Sequence, residues 1–295
     1  MTGIIPLRKG ENITSFFAVN KLRRITGEKK AGHTGTLDPN ATGVLPVALG
    51  GATRFIELLP THKKAYKATF KTGIKTDTLD IWGTVTETSE KSVMFDDVLK
   101  VSENFKGDIM QLPPMYSALR KDGVRLYELA RQGKSVEREA RKCHIYDLVL
   151  GEAENGEFSL YCECSAGTYI RTLISDIGDM LGTGAVMTSL LRTNACGIEL
   201  KDCFTLEELS ALSESGKIED ALIPVDKILD CYPAITVTDK QAVRFKNGGD
   251  LMSERVKGIE TVGYYRVYGM GEFLGIGELS ENSDSLKVKR VYNNL

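Results

Sequence analysis

The 295-residue chain lacks any apolar run approaching 18 residues, so no membrane-spanning helix is expected. Its first residues, MTGIIPLRKGENITS, hold only a short apolar patch with the charges after it, the wrong order for a signal peptide. The six cysteines (143, 162, 164, 196, 203 and 231) include no pair at the two-residue spacing of a zinc knuckle or redox motif. Reduced thiols and a cytoplasmic location are therefore expected. The three histidines, His33, His62 and His144, are far apart, and no nucleotide-binding glycine pattern occurs. Neither a metal nor a cofactor is expected.

Two stretches are poor in acid. Residues 61–75 contain five lysines and no carboxylate, and residues 116–142 carry eight basic residues, among them Arg120, Lys121, Arg131 and Arg141, against four acids. Residues 202–230 reverse the balance, with eight acids and two lysines, so a net charge of −2 conceals strong segregation. Acid-poor runs interleaved with Tyr66, Phe70, Tyr116 and Tyr127 suit a polyanionic partner better than the sum of charges suggests.

What is present alternates helix and strand. Thr14 and Ser15 offer a cap to a helix over 15–26 whose stripe is Phe16, Val19, Leu22 and Ile25. A short helix over 53–59 stops at Pro60. Residues 65–72 alternate as a strand with Tyr66, Ala68 and Phe70 inward. A helix over 95–105 precedes Gln111–Ser117, where Pro113-Pro114 forbids helix, and then the basic excursion with a helix near 124–131. Strands over 144–150 and 157–164 flank the turn Glu154-Asn155-Gly156, and Gly167-Thr168 opens a helix with Tyr169 and Arg171 in its first turn. A strand over 185–193 and a Thr205-x-x-Glu208 capped helix follow. A boundary is expected near Cys231, giving residues 1–231 and a small strand-rich unit over 232–295. The class is α+β, with a mixed, mostly antiparallel sheet flanked by helices.

Residues 32–54, GHTGTLDPNATGVLPVALGGATR, show neither helical nor strand periodicity. Asp38 lies between apolar Leu37 and Pro39, and the proline disfavours helical backbone at Asp38, so the carboxylate is presented from a stiff turn. Asp-Pro is also a common turn opener. Alone, the turn is better explained by structure than by chemistry.

Four segments in order and spacing decide between them: the stretch above, KAYKATFKTGIKTDTLD, PPMYSALRKDGVRLYELARQG and AGTYIRTLISDIG. Together they resemble the TruB family of tRNA pseudouridine synthases from about Thr14 to Arg192. The resemblance implies the pseudouridine-synthase catalytic fold, a C-terminal domain of PUA-like type, and isomerisation of uridine 55 in the T arm of tRNA without a cofactor; the long 61–142 region with its own basic insertion favours a stand-alone enzyme, and a monomer is expected. The resemblance makes Asp38 the catalytic aspartate, Tyr66 the tyrosine that stacks on the target base, and Arg171, beside Tyr169, the counter-ion of the carboxylate. His33 matches the histidine that helps splay the T loop, and Leu190 a leucine lining the pocket. Residues 111–142 match the RNA-gripping insertion. The family enters its first helix through Asp-Lys-Pro-x-Gly; here Lys9 is kept, as a substrate contact, and the proline is not. After Leu190 the family often has two arginines, whereas this chain has Leu191-Arg192, one phosphate contact fewer.

Forming pseudouridine breaks the N-glycosidic bond, joins C5 to the sugar and releases the C5 proton, with nothing oxidised. One ionised carboxylate serves as nucleophile or base, and attack at the sugar, attack at the base and a glycal route all remain open. Burial raises a carboxyl pKa, so a fixed cation, Arg171, is expected beside it. Two other readings stand against this one: an RNA-guided relative sharing the aspartate motif, and a noncatalytic RNA-binding module that clamps backbone with Gly32-His33-Thr34-Gly35.

Overall fold

A computed structural model describes residues 1–292; residues 293–295, the end of the expected C-terminal unit, lie outside the described residues. The main sheet has nine strands. Those that matter first are β1 (Gly3–Lys9), β2 (Ala31–His33), β3 (Thr42–Leu49) and β4 (Lys63–Thr72). Across the sheet the order is β1, β3, Ala185–Ala195, β4, Phe158–Ser165, Arg141–Glu152 and Gly107–Gln111, with β2 on β3. Every pairing is antiparallel except the join of β3 to the Ala185–Ala195 strand, where Thr42 faces Leu191 and Gly43 faces Arg192. The expected α+β class is what the structure shows.

β2 and β3 correct the expectation for residues 32–54. The run TGVLPVAL is buried at seven of its eight positions, so a strand covered on both faces shows no alternation to read. Pro46 would break a ladder in which it had to donate. Here it sits opposite Pro6, and the carbonyls of the two prolines turn outward, to the amides of Thr34 and Phe204. Two residues that cannot donate thus share a rung where neither is asked to.

The helix α1 (Ser15–Thr26) has the expected bounds, and the Thr14 hydroxyl accepts from the Phe17 amide. Its buried face is Ser15, Ala18, Val19 and Leu22, the i, i+3, i+4, i+7 pattern, which turns Phe16 out to 72 % exposure. The helix Ile170–Leu181 is capped by Tyr169, one residue later than the sequence suggests. Its apolar stripe packs into the main core with Val19, Leu22, Phe70 and Leu160.

A second, five-stranded sheet is drawn from Ala234–Thr236, Leu251–Met252, Gly263–Gly269, Glu272–Leu279 and Ser285–Val291. It has its own core around Phe245, Val267 and Leu274. A further apolar cluster joins it to the main body, with Ile276 and Phe273 against Phe55, Val225 and Ile228.

Candidate active site

Asp38 sits on the link between β2 and β3. Its carbonyl accepts from the Ala41 amide at 3.1 Å, closing a four-residue turn with Pro39 in the second position, where its fixed φ fits. The turn is fastened from behind at two points. The Ser15 hydroxyl, buried in α1, accepts from the Leu37 amide at 2.9 Å and donates to the Leu37 carbonyl at 3.1 Å. The Lys9 ammonium donates to the carbonyls of Gly10, Ile13 and Pro39 at 2.7–2.9 Å.

That places Lys9 differently from the expectation. It is fully buried, its three donors are all taken by backbone, and no N–H is left for a phosphate, so it braces the aspartate turn instead of touching substrate. Burial lowers its pKa from 10.5 to about 8, against the pull of Asp38, which raises it.

Arg171, from the first turn of the Ile170–Leu181 helix, is 4 % exposed. Its Nε lies 2.9 Å from Asp38 Oδ2, while its two terminal nitrogens donate to the carbonyls of Thr78 and Tyr116, each at 2.8 Å. The guanidinium therefore holds three segments at once and meets the carboxylate with one edge, not as a two-pronged fork. Asp38 keeps 39 % of its side chain exposed, and among the described residues nothing donates to Oδ1. One oxygen is held and the other is left toward the opening.

The loop carrying Thr78 is itself fixed by Asp80, whose Oδ1 accepts from the Thr78 hydroxyl at 2.6 Å and whose pKa is raised by burial. On the other side the buried Gln111 side chain grips Tyr169, accepting from its amide at 3.0 Å and donating to its carbonyl at 3.2 Å.

A cavity of about 280 Å³ opens over the carboxylate, and Asp38, Tyr66, Tyr169, Arg171 and Leu190 all line it. Five residues from four separate sequence segments are thus brought together. β4 points Tyr66 inward at 7 % exposure, between Cys162 and Arg192 on the flanking strands, and burial raises the phenol pKa so that it keeps its proton. Leu190 reaches the same wall from the rung opposite Ala68. His33 ends β2 outside the cavity lining; among the described residues its buried Nδ1 has no partner, and burial beside Arg192 lowers its pKa, which keeps it neutral near pH 7.

Arg192 is the residue whose place sequence reading misses. It is wholly buried, donating to the carbonyls of Val44 at 2.7 Å and Gly35 at 3.0 Å, and so ties β3 to the loop ahead of Asp38 instead of facing a phosphate. A lone arginine within the apolar strand AVMTSLLRTNA was the available signal, since such a residue is almost never buried untethered.

Arg120, Lys121, Arg131 and Arg141 are all exposed on or beside the 111–142 excursion, outside the cavity, and among the described residues none forms an ion pair. Arg120 and Lys121 bond backbone carbonyls, and Arg131 lies over the Tyr127 ring. The start of this excursion, Ser117 to Leu119, forms one wall of the cavity, so the basic segment and the carboxylate share one opening.

Family models match nearly the whole chain: the N-terminal domain of TruB family pseudouridylate synthases over residues 23–170, the C-terminal domain of tRNA pseudouridylate synthase B over 171–230, and the C-terminal domain of pseudouridine synthase II TruB over 233–292. tRNA pseudouridine synthase B of Clostridium perfringens is 41 % identical over 292 residues, covering 97 % of this chain and 98 % of its own. The protein of that name from Vibrio cholerae is 39 % identical, covering 95 % and 92 %. Among solved structures, a chain of a Cbf5–Nop10–Gar1 complex matches with a TM-score of 0.77 at 27 % identity, covering 99 % of this chain and 85 % of that one. A chain of an H/ACA ribonucleoprotein bound to a substrate RNA containing 2′-deoxyuridine matches at 0.75 and 26 %. With a carboxylate presented from a braced turn and agreement along its whole length, the chain belongs to the TruB family of pseudouridine synthases.

Proposed function

We propose that this enzyme converts uridine 55 in the T arm of tRNA to pseudouridine, acting as a monomer on the free T stem-loop. The observation that carries the reading is the half-open Asp38 carboxylate, held on one oxygen by Arg171 at the floor of a cavity whose wall begins the basic segment. Relatives 41 % and 39 % identical over nearly their full length are named tRNA pseudouridine synthase B, which supports tRNA as substrate.

A base stacked inside a loop is out of reach of Asp38, so the nucleotide must be flipped out at a cost of a few kcal/mol. Stacking on Tyr66 recovers part of it, about 1–3 kcal/mol per base. Asp38 is then the nucleophile or base: the C1′–N1 bond breaks, the uracil turns, C5 bonds to C1′, the C5 proton leaves and N1 takes one up. Arg171, 2.9 Å from Oδ2, keeps the carboxylate aimed throughout. Being fixed by two carbonyls before substrate arrives, it needs no reorganisation during the reaction. The exposed Arg120, Lys121, Arg131 and Arg141 hold the stem by its phosphates, with His33 at the edge of the loop.

Pseudouridine mapping of tRNA before and after incubation with the purified protein tests this, with one new site in the T arm expected; Asp38→Ala should abolish it and leave binding intact. The structural neighbours come from multi-component assemblies, so the rival is a chain active only inside one. Turnover of a bare T-arm stem-loop by the purified chain decides: activity supports the stand-alone enzyme, and binding without turnover refutes it.

A further inference from the structure

The lysines of β4 and the strand after it are mostly paired: Lys63 with Glu163, Lys71 with Glu157, and Lys75 with both Glu87 and Asp179. Lys64 differs. It is half-buried, lines the cavity that holds Asp38 and Tyr66, and lies two residues before Tyr66 in the strand, so both side chains stand on one face of the sheet. Among the described residues its ammonium has no hydrogen bond and no carboxylate.

Its near neighbours make this more unusual. The ammonium stands 2.8 Å from where a Cβ on Gly35 would be, and the φ of +65° there favours glycine. The other cation in the neighbourhood, Arg192, is also without a carboxylate and uses its guanidinium on two carbonyls. Burial and Arg192 both lower the pKa of Lys64. On the same loop the amides of Gly35 and Thr36 meet no acceptor among the described residues, although Thr34 before them and Leu37 after them do. The Lys64 ammonium and the two open amides of Gly35 and Thr36 line one cavity wall together, a donor set suited to an anion, with buried Arg192 behind them holding the loop.

We propose that Lys64 binds the RNA phosphate adjoining the flipped uridine, fixing the sugar over Asp38 as Tyr66 fixes the base. The inference rests on the function proposed above. A flipped nucleotide is tethered by two phosphates, and gripping one of them at the wall orients C1′ toward the free oxygen of Asp38.

The test uses the full chain and a T-arm stem-loop in three parts. Lys64→Met keeps the stem and removes the charge. It should weaken binding about tenfold, flatten the slope of log K against log salt by about 0.7–0.9, and leave the melting temperature unchanged or raised. Lys64→Arg should restore most of the slope. A stem-loop with a neutral methylphosphonate in place of the phosphate beside the target uridine should bind the wild type as weakly as the natural RNA binds Lys64→Met, and bind the variant with no further loss. An unchanged salt slope in Lys64→Met, or additive losses from the variant and the methylphosphonate, overturns the inference. If the wild type forms no pseudouridine in the natural stem-loop, it is the proposed substrate that fails, which separates the two.

Discussion

At the scale of single residues, the site depends on three buried cations, Lys9, Arg171 and Arg192, whose work is to hold backbone. Arg171 satisfies one carboxylate oxygen and two carbonyls from three segments. A lysine reaches one or two of these, never all three in a plane. Arg171→Lys should lower kcat on the order of 10²-fold and leave RNA affinity within a few-fold; single-turnover kinetics beside filter binding check this, and near-normal turnover would sink it. The Tyr66 hydroxyl is separable from the ring: Tyr66→Phe should preserve affinity and slow tritium release from C5-labelled uridine, and unchanged release would confine the residue to stacking. Lys9 makes a prediction about pH. Below about 8 it is charged in folded and unfolded chains alike, and burying that charge lowers stability. Between about 8 and 10.5 the folded chain has released a proton that the unfolded chain still holds, so stability rises with pH, by at most about 3 kcal/mol over the whole interval. Urea denaturation of wild type and Lys9→Met should therefore give curves that diverge above about pH 8 in favour of the wild type; parallel curves would refute the buried ammonium.

At the scale of elements, the join of β3 to the Ala185–Ala195 strand brings the aspartate loop against Arg192. Gly43 makes that join possible: φ is +107°, and a Cβ there would fall on the Arg192 carbonyl. Gly43→Ala should cost more than about 4 kcal/mol, whereas Gly10→Ala, with open space around it, should be nearly silent. Thermal midpoints of the two variants compare them directly, and equal midpoints would mean that the join tolerates a side chain. Elements with a strong periodic signal were legible in sequence. The 15–26 helix, the alternating strand through Tyr66 and the hairpin around Asn155 are legible because one face is wet and the other dry. β1 and β3 were not, because strands buried on both faces read as plain apolar runs. Asp38, Arg171 and Tyr66 were legible as motifs, whereas the supports, Ser15, Gln111 and Arg192, were not. Each support acts on backbone at a distance of 22 to 157 residues, and no local pattern encodes that.

At the scale of the whole molecule, the sequence divides near residue 231, but the packing runs across that point. Phe55, from the 3₁₀ helix Gly50–Leu58 that follows β3, has its ring 6.2 Å from Phe273 and 6.0 Å from Tyr292, and the cluster around it includes Val225, Ile228 and Leu229 from before the boundary and Ile276 from after it. Polar contacts cross as well: the Tyr232 hydroxyl donates to the Leu58 carbonyl at 2.9 Å, and Arg290 Nε to the Arg54 carbonyl at 3.2 Å. A small strand-rich unit with a core of its own would melt by itself if it were merely tethered. Sharing an apolar cluster with the main sheet couples the two, so calorimetry should show one transition whose calorimetric and van't Hoff enthalpies agree. Phe55→Ala removes the ring at the centre of the shared cluster, and a buried phenylalanine lost to alanine costs about 3–5 kcal/mol. That loss falls on the coupling more than on either core, because the second sheet keeps Phe245, Val267 and Leu274. The variant should therefore split the single transition into two, with residues 233–292 melting apart from the catalytic body. A lowered but still single transition would mean that the two sheets are held together by something other than this cluster.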